Sequence, residues 1–160
     1  MSHFARQVGK SMIIALAVIA FCSVAGLASA AKAKAKSDHG SAAQAKALLH
    51  RAVAALKANK EEALAKFNSG ADGFKDRDLY VFCAGPDWIQ TAGPMKGQNI
   101  KDLKDKNGKM IAQEQERVAR EGKISKMHYM FPRPGTTEPV EKTSYFTKVG
   151  DQICGVGYYK

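Results

Sequence analysis

Cysteines are the first residues in this sequence whose type and spacing could support chemistry. Cys83 and Cys154 lie in two segments of strand-like composition, and Cys22 lies in an apolar segment near the start of the 160-residue chain. In an oxidising compartment Cys83 and Cys154 would pair in a disulfide. The alternative is two small buried residues in strands, and the sequence leaves both open. Their spacing matches no redox motif, so a thiol redox enzyme is the weakest functional hypothesis.

Histidines give no metal site by their spacing. His39 and His50 fall in the arm and the first predicted helix, far along the chain from His128, so a three-histidine site is not expected. The CxxC, HExxH, GxSxG and phosphate-loop motifs are absent, and so is the CxxCH motif of covalent haem attachment. We therefore expect no enzymatic activity, no metal and no cofactor.

Two helices are predicted ahead of the first strand. Ser41 is a suitable N-cap for a helix through residue 58, and Leu49, Val53 and Leu56 fall on one face of it. Asn59 is expected to break this helix. A second, shorter helix is predicted over residues 61–68, ended by glycines at 70 and 73.

The rest of the chain has the composition of strands with helices between them. Residues 78–84 (DLYVFCA) are rich in β-branched and aromatic side chains and predict a central strand. One helical turn is expected at 99–104, and a helix at 107–121 capped by Asn107 and closed by Gly122. Further strands are predicted at 88–92, 124–131, 140–149 and 152–159. This order predicts an α+β fold with a five-stranded antiparallel sheet and helices packed on it.

Two glycines fall in line on one face of the last predicted strand. Gly155 and Gly157 share a face with Ile153 and Tyr159. Two glycines in line clear space above a sheet for a close neighbour. That neighbour is either a packing element, the commoner case, or a ligand. By the same alternation, the strand at 124–131 presents Met127, Tyr129 and Phe131 on one face.

The N-terminus has the pattern of an export signal. Arg6 and Lys10 precede an uncharged apolar segment at 11–28, and Ala28-Ser29-Ala30 is a small-residue cleavage site. We predict a signal peptide at 1–30 and a periplasmic or secreted protein. The alternative is an uncleaved anchor at residues 11–30, which is near the lower length limit for spanning a bilayer.

Positive charge is concentrated near the start of the mature chain. The net charge of the whole sequence is +10, and the excess falls in residues 31–60. Residues 31–40 are predicted to be a basic low-complexity linker, which is a solvated segment in most proteins. Because export argues against a nucleic-acid role, no nucleic-acid partner is expected.

Several segments in order resemble one family. AVAALKANKEEALAKFN (52–68), FKDRDLYVF (74–82), GQNIKDLKDKNGK (97–109), Tyr129-Met130-Phe131-Pro132 and EKTSYFTKVGDQICGVGYY (141–159) match successive segments of the single Cache domains, in particular type 2. The resemblance covers nearly all of residues 41–160. It implies a PAS-like extracytoplasmic sensor fold with a long N-terminal helix.

The resemblance also implies a pocket for a small organic acid. Carried over by position, the pocket residues are Tyr129, Phe131, Lys142 and Tyr145, with an ammonium and phenol groups to hold a carboxylate. Trp88 stands where the family tends to have glycine in a turn, and is either a substitute pocket residue or a cavity filler. Strict alternation places Lys142 and Tyr145 on opposite faces of their strand.

Two functions therefore compete. The first is an extracytoplasmic small-molecule-binding sensor module that acts through a separate membrane receptor, kinase or transporter. The second is an accessory domain that docks on such a partner without any ligand. A homodimer through the N-terminal helix is a related option, because long N-terminal helices in this family can pair.

Overall fold

The structure, a computed structural model, describes residues 37–160. The predicted signal peptide and residues 31–36 of the predicted linker lie outside this range and stay predictions. The helices are α1 (Ala42–Ala58), α2 (Lys60–Ser69) and α3 (Ile111–Val118), with a 3-10 turn at Ala71–Gly73. The strands are β1 (Lys75–Asp76), β2 (Leu79–Ala84), β3 (Gln90–Ala92), β4 (Ser125–Pro132), β5 (Pro139–Val149) and β6 (Gln152–Tyr159). Within residues 37–160, no helix is long and apolar enough to cross a membrane.

The N-terminal helices begin and end where side chains and glycine supply the missing hydrogen bonds. The Ser41 side chain accepts from the Gln44 backbone N–H, and the Gln44 side chain accepts from the Ser41 N–H, which forms a capping box. Asn59 ends α1 and caps α2 through its side-chain oxygen. Gly70, with φ 79°, ends α2 in the left-handed conformation that glycine adopts without steric cost. These junctions agree with the sequence prediction.

The strands form one antiparallel sheet in the order β1-β2-β6-β5-β4, and β3 pairs with the same edge of β2 as β1. In the centre of the sheet Lys142 of β5 lies between Tyr129 of β4 and Tyr159 of β6. Cys83 of β2 lies opposite Cys154 of β6. The C-terminal strand is therefore central, and it brings residues distant in sequence side by side.

Each face of the sheet carries its own apolar cluster. On one face, α1 and α2 pack on β2 and β6 through residues such as Leu49, Phe67 and Val156. On the other face, α3 and the loop before it cover Tyr129 and Phe146. Alternation therefore sends odd-numbered β6 residues toward α3 and even-numbered ones toward α1. The shared face of Ile153, Gly155, Gly157 and Tyr159 agrees with the sequence prediction.

The sheet differs from the prediction in having six strands rather than five. The additional strand is the two-residue β1, which pairs with the start of β2 through a tight turn. Arg77 occupies the left-handed region in that turn, at φ 58°. Its guanidinium donates to the carbonyl oxygens of Ser37 and His39, each at 2.8 Å. A charged two-residue strand has no alternation from which to predict it.

The connecting segment before β4 also differs from the prediction. No helix forms at 99–104, where the chain instead makes isolated bridges, Ile89 with Asn99 and Lys104 with Met110. Helix α3 is shorter than the predicted 107–121. Asn107 does not cap it, because the Asp105 side chain accepts from the Asn107 and Lys109 N–H groups and holds a turn there. Gly122 lies in a turn beyond the helix end.

Candidate ligand-binding site

Lys142 is a lysine buried in the middle of the sheet. Only 2% of it is exposed. Its side chain lies over Gly157 of β6, where an added Cβ would overlap the Lys142 Cε and approach the Ser144 Oγ to 2.6 Å. Gly155 likewise leaves room for the Phe82 ring. The space cleared by the two glycines is therefore filled by side chains of the same face.

Aromatic rings surround the Lys142 ammonium. Its Nζ lies 4.3 to 5.9 Å from five ring centroids, within the range of cation–π attraction. The rings belong to Tyr80, Phe82, Tyr129, Phe131 and Tyr159. Negative ring faces replace part of the hydration that the buried ammonium loses.

Hydrogen bonds at the ammonium lead through tyrosine hydroxyls. Lys142 Nζ donates to the Tyr80 hydroxyl at 2.5 Å. The Tyr80 and Tyr159 hydroxyls are 3.4 Å apart, and the Tyr159 hydroxyl donates to the Pro132 carbonyl at 2.8 Å. Tyr129 contacts Ser144 Oγ at 2.9 Å. The phenol groups are therefore held in place around one cation.

The charge on Lys142 has no carboxylate partner within salt-bridge distance among residues 37–160. Burial lowers its pKa to about 7, against which the more distant negative charge of Asp78 raises it. Burial raises the pKa values of Tyr80, Tyr129 and Tyr159. The phenols are therefore neutral at physiological pH, and the amine is poised between its charged and neutral forms.

Lys142, Tyr80, Tyr129 and other residues from both the sheet and its cover line a cavity of about 30 Å³. We call it the inner cavity. The sheet supplies the charged and aromatic wall, and α3 with the loop at 93–103 supplies the opposite wall. The Gln90 side chain accepts from the Met95 N–H at 2.6 Å and so fixes this loop. A cavity of this volume accommodates about one water molecule.

Gln115 of α3 also lines the inner cavity, and it was not predicted. It is 5% exposed, and its Nε2 has no hydrogen-bond partner within the part of the chain described. In sequence it lies four residues after Ile111, on the buried face of the helix. The sequence did contain a signal for Gln115, because a polar residue at that position interrupts the apolar face of the helix.

The five predicted pocket residues separate into three groups. Tyr129, Phe131 and Lys142 line the inner cavity together. Tyr145 does not: it lies on the opposite face, next to the α1 cluster, where its ring stacks on Tyr158 at 6.0 Å. This follows from alternation, because no bulge interrupts β5 between positions 142 and 145. Trp88 lines a different pocket outside the inner cavity.

We call the five rings around the Lys142 ammonium the aromatic cage. Three of its members, Tyr80, Phe82 and Tyr159, were not predicted. Tyr80 and Phe82 alternate with Leu79, Val81 and Cys83 along β2, so the period of the strand contained the signal. The sequence does not show which face of β2 lies next to Lys142, because that depends on the pairing of β2 with β6.

Cys83 and Cys154 form a disulfide in the structure, with their Cα atoms 4.1 Å apart. Both belong to the cluster on the α1 face, on the other side of the sheet from Lys142. The disulfide is therefore part of the scaffold, away from the inner cavity. Among residues 37–160 there is no group of three or more His, Cys, Asp or Glu side chains that could hold a metal.

Comparison with known proteins points to one family. A family model described as a Cache domain matches residues 26–158. The methyl-accepting chemotaxis protein McpP of Pseudomonas putida is 31% identical over 84 residues, which is 45% of this chain and 15% of that protein. The chain thus spans a small part of the length of this relative.

Three solved structures share the fold. The first is a methyl-accepting chemotaxis protein from Vibrio parahaemolyticus, at TM-score 0.61 and 22% identity, covering 73% of this chain and 86% of that one. The second is a periplasmic sensor domain of a chemotaxis protein, at 0.56 and 25%, covering 72% and 87%. The third is a Cache chemosensory domain solved for carboxylic acid recognition, at 0.56 and 23%, covering 72% and 85%.

Proposed function

Since the chain belongs to the Cache domain family, we propose that it is a non-enzymatic sensor module that binds a small monocarboxylate in the inner cavity. The observation that carries the proposal is the buried ammonium of Lys142, which has no carboxylate within salt-bridge distance among residues 37–160. A carboxylate ligand supplies that missing countercharge. We further propose that the module works outside the cytoplasm and signals through a separate membrane partner.

The chemistry of the cage favours an anion that accepts hydrogen bonds. A carboxylate oxygen near Lys142 Nζ would accept a charge-assisted hydrogen bond, which is shorter and stronger than one between neutral groups. The Tyr80 hydroxyl, which now accepts from Lys142, has a proton to donate to the same ligand. An ammonium buried among aromatic rings loses hydration, so the incoming charge has more effect than at a surface.

The dimensions of the inner cavity favour a small acid. At about 30 Å³ the cavity is of the size of a water molecule, so even acetate requires side chains of the cover to shift. Met95 is a suitable residue for this, because it lines the cavity and its unbranched side chain adapts easily. The Phe131 ring limits the opposite side, which disfavours long or branched acids.

Relatives support the location and the class of ligand. One structural neighbour is described as a periplasmic sensor domain of a chemotaxis protein, and another as a Cache chemosensory domain recognising carboxylic acid. We propose that this chain passes its ligand-bound state on to a membrane receptor, kinase or transporter.

Calorimetric titration of the full chain with acetate and propionate at pH 6 tests the proposal. We expect saturable binding that Lys142→Met removes, since methionine keeps the length of the side chain but not its charge. Lys126→Met is the matched control, because Lys126 is an exposed lysine on the neighbouring strand β4. An absence of binding by both acids, or binding retained in Lys142→Met, contradicts the proposal and favours a ligand-independent accessory domain.

A further inference from the structure

A second, larger pocket lies outside the inner cavity. It is bounded by the turn at residues 85–88, by α3 and the residues after it, and by the hairpin between β5 and β6. We call it the outer pocket. Its volume is about 670 Å³, within the range of sites that bind small molecules. The proposed acid site does not account for it.

Gln115, a residue of this pocket, carries an unused hydrogen-bond donor. It lines both the outer pocket and the inner cavity. Its Nε2 is buried and has no acceptor anywhere in residues 37–160. Buried polar groups in folded proteins nearly always have partners. An acceptor oxygen on a bound molecule would give this amide the partner that the protein does not.

Trp88 supplies an aromatic surface at the same pocket, at the cost of backbone strain. Its φ is 66°, a left-handed conformation that is unusual for a bulky residue. The turn is fixed from both sides: the Trp88 N–H donates to the Gly85 carbonyl at 3.1 Å, and the Trp88 carbonyl accepts from the Ile100 N–H at 2.9 Å. Strain held in this way is typical of ligand-contacting positions.

Charge at the outer pocket does not favour an anion. Its lining contains the basic residues Arg120 and Lys148 and the acidic residues Glu116, Glu121 and Asp151. Asp151 is already paired with Lys60, at 2.8 Å. This mixed rim contrasts with the single buried cation of the inner cavity. It suits a neutral molecule.

From these observations we infer that the outer pocket is a second ligand site for a neutral, planar aromatic compound bearing a carbonyl oxygen. The ring packs against Trp88, and the carbonyl accepts a hydrogen bond from Gln115 Nε2. Only Phe82, Ile100 and Gln115 line both this pocket and the inner cavity. The two sites therefore take different ligands, and this inference stands without acid binding at Lys142.

Titration of the full chain with nicotinamide, followed by calorimetry and NMR, tests the inference. We expect saturable binding, weakened at least tenfold in Trp88→Gly and about tenfold in Gln115→Met. Glycine suits the left-handed backbone at position 88, so Trp88→Gly folds and its unfolding midpoint should not fall. Nicotinate, which has the same ring with a negative charge, should bind at least tenfold more weakly than nicotinamide.

Two further variants separate the outer pocket from the inner cavity. Lys142→Met should keep nicotinamide binding while removing acetate binding, and Lys126→Met should keep both. Failure of acetate to bind, with nicotinamide binding still dependent on Trp88, would refute the acid site alone. The second site is refuted by an absence of saturable nicotinamide binding, by binding unchanged in Trp88→Gly, or by binding lost in Lys142→Met.

Discussion

The stability of the unliganded protein should rise between pH 7 and pH 9 because of Lys142. Burial lowers the pKa of this amine to about 7, whereas an unfolded lysine titrates near 10.4. Between these values the unfolded chain holds a proton that the folded chain has released. Stability rises with pH wherever the unfolded state binds more protons, so the sign is an increase.

The size of the effect follows from the two pKa values. Over this range the unfolded lysine stays almost fully protonated, while the folded one goes from half protonated to almost fully neutral. Because one proton is worth about 1.36 kcal/mol per pH unit, the free energy of unfolding should increase by about 2 kcal/mol from pH 7 to pH 9. Above pH 10 the buried tyrosines act in the opposite direction, since burial raises their pKa values.

Urea unfolding of the full chain at pH 7, 8 and 9, with no carboxylic acid added, measures this change. Lys142→Met removes the titrating group, and its stability should vary much less over the same range. Lys126→Met should keep the wild-type slope, because Lys126 is exposed. The difference between wild type and Lys142→Met also cancels every contribution to the pH dependence that the two proteins share. Parallel pH profiles for these two proteins would refute the account of a lysine buried without a countercharge.

Three other outcomes are expected. If only the ammonium form of Lys142 binds acid, the fraction of the protein able to bind falls from about nine tenths at pH 6 to about one tenth at pH 8. The acetate dissociation constant should therefore rise about tenfold between these pH values, and a constant value contradicts the role of the charge. Gly157→Ala should destabilise the protein by about 1–3 kcal/mol through overlap with Lys142, and combining it with Lys142→Ala should recover part of that loss in urea unfolding. Reducing Cys83–Cys154, which closes a loop with a sequence separation of 71, should lower the free energy of unfolding by about 4 kcal/mol in the chain-entropy model; equal unfolding midpoints with and without reductant would rule this out.

The elements set by strong local patterns were predictable. Ser41 and Asn59 mark helix boundaries through side-chain capping, which depends on a few neighbouring residues. The antiparallel α+β fold followed from the order of periodic segments. The segment at 99–121 was not predicted correctly, because Asp105 competes for backbone N–H groups and replaces a helical start with a turn.

The site was predictable only in part, for a similar reason. Alternation alone places Lys142 and Tyr145 on opposite faces, and the structure has them so. Tyr145 was included among the predicted pocket residues because of the family resemblance, although alternation places it on the other face. Tyr80 and Tyr159 enter the cage through pairing of β2 and β5 with the C-terminal strand, which is a long-range contact. Local sequence carries no information on such pairing beyond which strands are apolar.

The disulfide also determines what happens when the chain is cut. Between Cys83 and Cys154 lie β3, α3, β4 and β5, so Lys142 and Gln115 are inside a covalently closed ring. The exposed loop joining β4 to β5 is in the same ring. A protease that cuts there leaves one molecule whose two pieces separate only after reduction. New chain ends or an inserted reporter domain at this loop would therefore leave β2 and β6 covalently joined.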